Sequence, residues 1–419
     1  MDASSLARRA FWTAEHTEVV RTLLARQRAG SRLIYIPGNH DASLGVLAQM
    51  LQGQFVRIAL ASDAWAPQTN GVVTTLECTA ETLTSLGHVV RIIAPEGLSC
   101  CACPSYPEIR LALWPGPYVA RELKAFRPHA IHIATEGPLG LAVRRYCRAR
   151  RVPFTTSYHT RYPEYVRARY PVPLSASYAW LRRFHGAATR TFVSSATLEA
   201  QLRGRGFEHL HRWQRGVNLR TFRPLPPHPE LARLPRPVMA CVGRLAIEKN
   251  LEAFLGLDLP GTKVMIGDGP ERRTLEARYP GAVFTGYRFG EELVHCLSAA
   301  DVLVFPSLTD TFGLAMIEAN ACGVPVAAFP VPGPLDVIEQ DVTGVLHADL
   351  AEAIRSALRL DRRTCAARAA RFSWHAACAQ FLAGLAPIPL ALRATLAASR
   401  SSVIIARITA RRQTSGDAN

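Results

Sequence analysis

The chain has 419 residues, of which 48% are hydrophobic and 20% are charged. This composition excludes an intrinsically disordered protein, and the length predicts two or three globular domains. The formal net charge of +16 comes mostly from arginine, because the only lysines are Lys124, Lys249 and Lys263. Such a charge is compatible with a phosphate-bearing substrate, an anionic membrane surface or nucleic acid, and composition alone does not choose between them.

Residues 1–54 form an N-terminal extension that contains the segment IYIPGNHDASLG. This segment resembles the GNHD block of calcineurin-like metallophosphoesterases, in which Asn and His serve a two-metal centre. That centre also needs an upstream DxH and GD pair and a downstream GHxH, and none of these is present in the sequence. Asn39, His40 and Asp41 are therefore interpreted as a catalytically dead remnant.

From residue 55 onward, short apolar strands alternate with helical patterns, which is typical of a parallel, doubly wound sheet. The strands predicted in the first domain, residues 55–222, cover residues 55–63, 88–95, 130–136, 153–159 and 190–195. Helices are predicted between them, including residues 73–86 and 139–150.

A Pro-rich linker over residues 223–237 separates this domain from a second alternating domain, residues 238–371. A helix over residues 372–386 is expected to pack back on the first domain. Residues 387–419 form a basic tail that we expect to be partly disordered. The predicted fold class is α/β, with two Rossmann-like, doubly wound domains that face a central cleft.

Neither a signal-peptide pattern nor a run of eighteen clearly apolar residues is found, so we expect a soluble, cytoplasmic protein. Three cysteines crowd residues 100–103, in a predicted loop. Zinc sites need two separated pairs of ligands, and no second pair is present. We therefore expect free thiols and no bound metal.

Two motifs of the second domain each follow a predicted strand. VGRLAIEKN, residues 242–250, offers Arg244 and Lys249 beside the start of a helix, which suits a diphosphate. GDGPE, residues 267–271, contains Gly267, which allows a close backbone approach or a tight turn. Taken singly, a solvated loop and a plain strand-to-helix turn explain these motifs equally well.

The segment SLTDTFGLAMIEA, residues 307–319, places Asp310 at a strand end and Gly313 near a helix start. Glu318 follows eight residues after Asp310, roughly 12 Å along a continuous helix. This spacing suits a nucleotide sugar, which has hydroxyl groups at both ends and a diphosphate between them. A salt-bridged surface is the simpler alternative.

The first domain supplies the facing wall of the cleft. NGV puts Gly71 in a strand-to-helix loop, and Glu136 and His159 end predicted strands. A lone histidine is more often structural, but the position of His159 at a strand end favours a place in the cleft.

The ordered set NGV, TEGPLG, SYHTRYPEY, RGVN, VGRLAIEKN, GDGP and TDTFGLAMIEA resembles the retaining GT-B glycosyltransferases of the glycosyl transferases group 1 superfamily. The resemblance extends over residues 55–385. Within the superfamily, the chain is most similar to bacterial GDP-mannose-dependent α-mannosyltransferases and glycosyl-diacylglycerol synthases. It implies transfer of a hexose, with mannose from GDP-mannose favoured, to a lipid or glycan acceptor, with no cofactor and no essential metal.

The resemblance also implies roles for single residues. Arg244 and Lys249 are expected to bind the diphosphate, Glu318 the ribose, and Asp310 the hydroxyls of the donor sugar, while His159 faces the reacting sugar. Further donor-site positions are Gly71, Gly267, Phe312 and Gly313, and acceptor-side positions are Asn70, Glu136 and Tyr162. The departing diphosphate itself is expected to take the proton of the acceptor.

The sequence departs from the family pattern at three places. Asp310 stands where the family usually has Glu, and Asn218 stands where Asp is common. The segment 251–266 is short, which predicts a shortened helix. Two alternatives remain open: a UDP-hexose-dependent transferase acting on a diacylglycerol-type lipid, and a non-catalytic nucleotide-sugar-binding protein. No nucleic-acid partner is predicted.

Basic and aromatic residues cluster in one part of the first domain, which suggests contact with an anionic membrane and hence a lipid acceptor. A solvated basic face explains them equally well. The residues are Arg167, Arg169, Arg182, Arg183, Tyr162, Tyr165, Tyr170 and Trp180.

Overall fold

The structure is a computed structural model that describes residues 57–68, 70–103 and 106–397. The predicted metallophosphoesterase remnant at Asn39, His40 and Asp41 and residues 398–419 of the predicted basic tail lie outside the described residues.

The first domain is built on a parallel sheet with helices on both faces. Its strands are β1 (Arg57–Ala61), β2 (Val89–Ile93), β5 (Ala130–Ile133), β6 (Thr155–Ser157), β7 (Arg190–Val193) and β8 (Leu210–Arg212). They lie in the order β2-β1-β5-β6-β7-β8. Two further strands, β3 (Cys100–Cys103) and β4 (Tyr106–Ala112), form an antiparallel hairpin. The helices are α1 (Gly71–Ser85), α2 (Gly116–Phe126), α3 (Pro138–Arg150), α4 (Tyr162–Arg169), α5 (Leu174–His185) and α6 (Ala196–Gly204).

The second domain repeats this plan with a second six-stranded parallel sheet. Its strands are β9 (Val238–Val242), β10 (Thr262–Ile266), β11 (Val283–Gly286), β12 (Val302–Phe305), β13 (Val326–Ala328) and β14 (Gly344–Leu346). They lie in the order β11-β10-β9-β12-β13-β14. The helices are α7 (Pro229–Ala232), α8 (Glu252–Leu255), α9 (Arg272–Arg278), α10 (Gly290–Ala299), α11 (Leu314–Ala321), α12 (Pro334–Val337), α13 (Leu350–Ala357) and α14 (Arg362–Ala369), with a 3₁₀ turn over Ile247–Lys249.

The strands form where successive residues are apolar, because helices cover both faces of a parallel sheet and the side chains on both faces are buried. Every residue of β5 and of β12 is buried. In the first domain, Asn70 and Ser195 cap α1 and α6 through their side chains, each at a strand-to-helix turn. The predicted alternation of strands and helices is therefore confirmed in both domains.

The chain crosses between the domains twice, and the two crossings lie side by side. The backbone N–H of Val217 donates to the carbonyl of Phe372 over 2.9 Å. Gly216 is required there because a Cβ at this position would lie 2.5 Å from the backbone nitrogen of Trp374. The following helix, α15 (Trp374–Gly384), packs on the first sheet, and α16 (Leu390–Ala397) contacts α2 and α3.

The Pro-rich segment is less open than a free linker. It contains α7, and Leu231 is buried in the core of the second domain. The backbone N–H of Leu225 donates to Ser298 Oγ over 3.2 Å. This segment therefore belongs to the second domain, and the crossings lie at residues 216–218 and 372–374.

Four strands differ from the sequence prediction, among them β4, the second strand of the hairpin, which was not predicted. Cys100–Cys103 was predicted as a loop, which is wrong, because these residues form β3 of the hairpin. The edge strands β8 and β14 were not predicted, since each has three residues and β8 reads Leu-His-Arg, without an apolar run. The helix after the 3₁₀ turn, α8, has only four residues, as the short segment predicted.

None of the described helices is both long and apolar enough to span a bilayer.

Gly267→Ala tests the packing between β9 and β10. Gly267 has φ +151°, and a Cβ there would lie 1.9 Å from the carbonyl oxygen of Gly243. We expect the free energy of unfolding, measured by urea denaturation, to fall by about 3 kcal/mol or more. Gly281→Ala is the control, because its Cβ meets nothing within 4 Å. Equal stability of the two variants would contradict this account.

Candidate active site

The predicted site residues of the second domain gather where its strand order reverses. Arg244 and Lys249 follow β9, and Asp310 follows β12, the neighbouring strand. At such a point the two crossover helices leave on opposite faces of the sheet, which opens a crevice beyond the strand ends. The fold therefore brings Arg244, Lys249 and Asp310 to one crevice.

Lys249 and Asp310 form an ion pair. Lys249 Nζ donates to Asp310 Oδ1 over 2.6 Å, and the two side chains are 25% and 15% exposed. Burial alone lowers the pKa of Lys249, but the charge and hydrogen bond of Asp310 outweigh it and raise that pKa. Asp310 Oδ2 is buried and has no hydrogen-bond partner within the described residues. That oxygen remains available to accept from a hydroxyl group.

Helix α11 starts directly beside this pair. Gly313 precedes it with φ +86°, a conformation that favours glycine, and no side chain caps the helix. The N–H groups of Leu314 and Ala315, at the start of this helix, therefore remain available to an anion. The ring of Phe312 is buried against Phe372, with centroids 6.0 Å apart, so only its backbone can contact a ligand.

Glu318 lies on α11, one turn beyond the helix start, and is half-buried. Burial raises its pKa to about 7. A carboxyl group in this state changes charge near neutral pH and accepts hydrogen bonds strongly only when ionised.

Gly267 has a structural reason for being glycine, since β10 passes too close to Gly243 for a Cβ. Arg244 is half-buried. It lies near Tyr287: burial raises the pKa of this tyrosine overall, and the charge of Arg244 offsets part of that rise. Arg244 therefore lies on the β10–β11 side of the crevice, whereas Lys249 lies on the β12 side.

On the facing domain, His159 is 9% exposed and held by a buried arginine. Arg215 Nη2 donates to His159 Nδ1 over 3.1 Å. Burial and the charge of Arg215 keep the pKa of His159 well below its usual value. The imidazole is therefore neutral and carries its proton on Nε2, which is buried without a partner in the described part of the chain. In this form His159 is a hydrogen-bond donor and not a general base.

Arg215 was not singled out from the sequence. It lies over the ring of Trp213, with Cζ 4.3 Å from the centroid, and donates to the Trp213 carbonyl over 2.8 Å. Burial lowers the pKa of Arg215 to about 9. The motif RGVN was the only signal in the sequence, and its first residue proves to orient His159.

The N-termini of α1, which has 15 residues, and α11, which has eight, meet across the cleft. A Cβ on Gly71, the first residue of α1, would lie 3.7 Å from Leu314 Cδ1, at the start of α11. Both helix dipoles therefore direct their positive ends toward the same region. The side chain of Asn70 accepts from the N–H groups of Val72 and Val73, so it serves as a helix cap.

Glu136 lies at the end of β5, where it is buried and accepts from His185 Nε2 over 3.1 Å. Tyr162 stands near it: this residue is 37% exposed overall, but desolvation around its hydroxyl and then the charge of Glu136 raise its pKa. The predicted acceptor-side residues Glu136 and Tyr162 are thus neighbours, whereas Asn70 belongs to the end of α1.

A second residue missed by sequence analysis is Asp63, at the end of β1. Its carboxylate accepts from the N–H groups of Leu139 and Gly140 over 2.8 and 3.1 Å and from Thr135 Oγ1 over 2.9 Å. The N-terminus of α3 is therefore occupied by the protein's own carboxyl group and cannot hold a phosphate there.

No group of three or more His, Cys, Asp or Glu side chains within the described ranges is arranged to hold a metal ion.

Comparison with known proteins identifies the family. Residues 236–360 match the family of glycosyl transferases group 1, and residues 69–221 match glycosyltransferase family 4. The chain is 33% identical over 316 residues to a GDP-mannose-dependent alpha-mannosyltransferase of Mycobacterium tuberculosis, covering 70% of this chain and 83% of that protein. It is 34% identical over 258 residues to a sulfoquinovosyl transferase of Arabidopsis thaliana, covering 58% of this chain and 50% of that protein.

Solved structures agree on the fold. A sucrose-phosphate synthase from Thermosynechococcus elongatus superposes with a TM-score of 0.62 at 21% identity, covering 78% of this chain and 98% of that chain. The predicted GT-B architecture of two Rossmann-like domains is confirmed. The chain belongs to the glycosyl transferases group 1 family and is a glycosyltransferase of GT-B fold.

Proposed function

We propose that the enzyme transfers mannose from GDP-mannose to a lipid or glycan acceptor, with retention of the anomeric configuration and without a metal ion. The observation that carries the proposal is the Lys249–Asp310 pair in the crevice of the second domain, next to Thr311, whose hydroxyl donates to the backbone carbonyl of His159 in the first domain. The choice of GDP-mannose follows the mannosyltransferase relative.

The diphosphate would lie between cationic groups. Arg244 and Lys249 flank the crevice, and the uncapped N-terminus of α11 adds N–H donors. These groups stabilise the charge that grows on the leaving diphosphate, which is the part a metal ion plays in other enzymes. Because these fixed cationic groups would take the role of a bound metal cation, the reaction would not require a metal ion.

Asp310 would bind the sugar and not attack it. One of its oxygens is held by Lys249, and the other is directed to sugar hydroxyls. His159 would donate its Nε2 proton to another oxygen of the same sugar. Because neither residue is a free nucleophile or base, the departing diphosphate would accept the acceptor's proton on the face it leaves, which gives retention.

Glu318 would accept hydrogen bonds from the ribose hydroxyls, since it lies one turn beyond the phosphate-facing end of α11. Movement of the domains about the paired crossings at Gly216 and Trp374 would admit the donor and then exclude water.

A lipid acceptor is favoured by the outer face of the first domain. Trp180 is 47% exposed, Tyr170 is exposed, and Arg182 and Arg183 lie beside Trp180 on α5. Tyr165 does not belong to this face, because it hydrogen-bonds to Thr309 of the other domain. Tyr170, Trp180, Arg182 and Arg183 suit an anionic membrane surface, and peripheral binding on the cytoplasmic face would bring a lipid acceptor to the cleft.

A second candidate function is the transfer of a different hexose to a lipid, with a UDP-hexose as donor. The observation in its favour is the similarity to the sulfoquinovosyl transferase. The two candidates differ in the nucleotide they require.

A thermal-shift panel of GDP, UDP, ADP and their hexose conjugates tests the donor. We expect GDP and GDP-mannose to raise the melting temperature most, because ligands that bind only the folded state stabilise it. Glu318→Ala is expected to abolish the shift, while Lys124→Ala, an exposed lysine of α2, keeps it. A larger shift with UDP supports the second candidate, and no shift with any nucleotide contradicts both.

The same preparation tests the stereochemistry and the metal. NMR of the product should show an α-linked mannose, and turnover should persist in EDTA. A β-linked product contradicts retention, and activity that EDTA abolishes and Mg²⁺ restores contradicts metal independence.

The pKa of Glu318 predicts how donor affinity depends on pH. The folded-state pKa of about 7 lies above the ordinary value of 4.5, so the free enzyme loses the ribose-binding carboxylate as pH falls through 7. We expect GDP-mannose, which itself does not titrate near neutrality, to bind about tenfold more weakly at pH 6 than at pH 8 by calorimetry. Glu318→Gln should bind weakly with no such dependence. The same slope in that variant would assign the dependence to another group.

Vesicle co-sedimentation tests the membrane proposal. Binding to vesicles with 30% anionic lipid should exceed binding to neutral vesicles, and the double variant Trp180→Ala, Arg183→Ser should reduce it about tenfold. Arg355→Ser, an exposed arginine of α13, is the control. Equal binding to both kinds of vesicle would end this proposal.

A further inference from the structure

We propose that Thr311 is a positioning residue that couples closure of the two domains to the placement of Asp310 and His159. The inference deepens the proposed function and rests on it for the roles of Asp310 and His159. Thr311 is adjacent to Asp310 in the chain, but its contacts lie in the opposite domain.

Thr311 bonds to the ends of two neighbouring strands of the first sheet. Its Oγ1 donates to the carbonyl of His159 over 2.7 Å, and His159 follows β6. Its own carbonyl accepts from Ser194 Oγ over 2.8 Å, and Ser194 follows β7. One residue of the second domain is thus fixed by two hydrogen bonds to the first.

The segment around Thr311 is held from both sides. Asp310 is bonded to Lys249 of its own domain, while Thr309 bonds to Tyr165 of the first domain and to the carbonyl of Glu248 over 3.2 Å. Opening the cleft therefore has to break the Thr309–Tyr165 contact and both hydrogen bonds of Thr311, while the Lys249–Asp310 and Thr309–Glu248 bonds remain. In the closed arrangement, the hydroxyl group of Thr311 links the carbonyl of His159 to the residue that directly follows Asp310.

This arrangement assigns Thr311 a role in turnover and not in donor affinity. The donor-binding groups Arg244, Lys249 and Glu318 lie in the second domain and do not need closure to be assembled. His159 belongs to the first domain, so it meets the sugar bound at Asp310 only when the domains close. A neutral hydrogen bond shifts such an equilibrium by about three- to tenfold.

A matched control exists elsewhere in the interface. Thr197 Oγ1, at the start of α6, donates to Asp336 Oδ1 over 2.9 Å. This is also a threonine hydroxyl bonded across the domains, but it touches neither Asp310 nor His159. The Thr197 backbone N–H keeps its own bond to Asp336 over 3.0 Å when the hydroxyl is removed.

The test compares Thr311→Val, Thr311→Ser and Thr197→Val in the full chain, after melting curves show that each is folded. We expect Thr311→Val to lower kcat for mannosyl transfer about tenfold, to leave the Kd for GDP within about twofold, and to raise the ratio of donor hydrolysis to transfer. Thr311→Ser should restore kcat to within about threefold, because it keeps the hydroxyl. Thr197→Val should change kcat less than about threefold.

Three results would overturn the inference: transfer by Thr311→Val within about twofold of wild type, an equal loss in Thr197→Val, or no rescue by Thr311→Ser.

Small-angle X-ray scattering supplies a readout that needs no donor. The radius of gyration of Thr311→Val should exceed that of both wild type and Thr311→Ser. Equal radii of gyration in all three proteins contradict the coupling, even if the wild type transfers mannose. A wild type whose melting temperature does not respond to GDP contradicts only the proposed function.

Discussion

The reversal of strand order in each sheet is the constraint on which the site depends. Between β9 and β12 the strand order reverses, so the crossover helices leave on opposite faces and a crevice opens beyond the strand ends. Lys249 and Asp310 stand in this gap as an ion pair, beside Arg244 and the N-terminus of α11. The same reversal occurs in the first sheet between β1 and β5, where Asp63 fills the start of α3. One sheet therefore keeps its crevice available, while the other closes it with its own carboxylate.

Burial sets the charge states around the cleft. The second domain keeps Lys249 charged because Asp310 compensates its burial, and it brings the pKa of Glu318 close to neutrality because nothing described compensates that burial. The first domain keeps His159 neutral through burial and the charge of Arg215. Two faces of one cleft thus present a cationic anion site and an uncharged hydrogen-bond donor, which suits a diphosphate joined to a neutral sugar.

Hydrogen bonds from small hydroxyl groups join the two domains across the cleft. Ser194, Thr197 and Thr311 supply hydroxyl groups across the cleft, and each bond is an ordinary neutral or singly charged one. Such contacts contribute little individually, so they can be broken and remade during each catalytic cycle. The buried cores lie within the domains, where the parallel sheets are covered on both faces.

The sequence by itself determined the domain plan and most of the elements, because apolar strands alternate with helices and local patterning is enough to reveal that. It also picked out Arg244, Lys249, Asp310 and Glu318 as candidate site residues, since the first three follow recognisable strands and Glu318 lies on the helix that comes next. The short edge strands β8 and β14 escaped, because three residues carry too little pattern. Only the tertiary structure showed which distant residues meet at the site: Arg215 beside His159, Asp63 at the start of α3, and Thr311 bonded across the cleft. Those contacts join residues that lie far apart in the chain, and no local spacing encodes which distant residue will meet them.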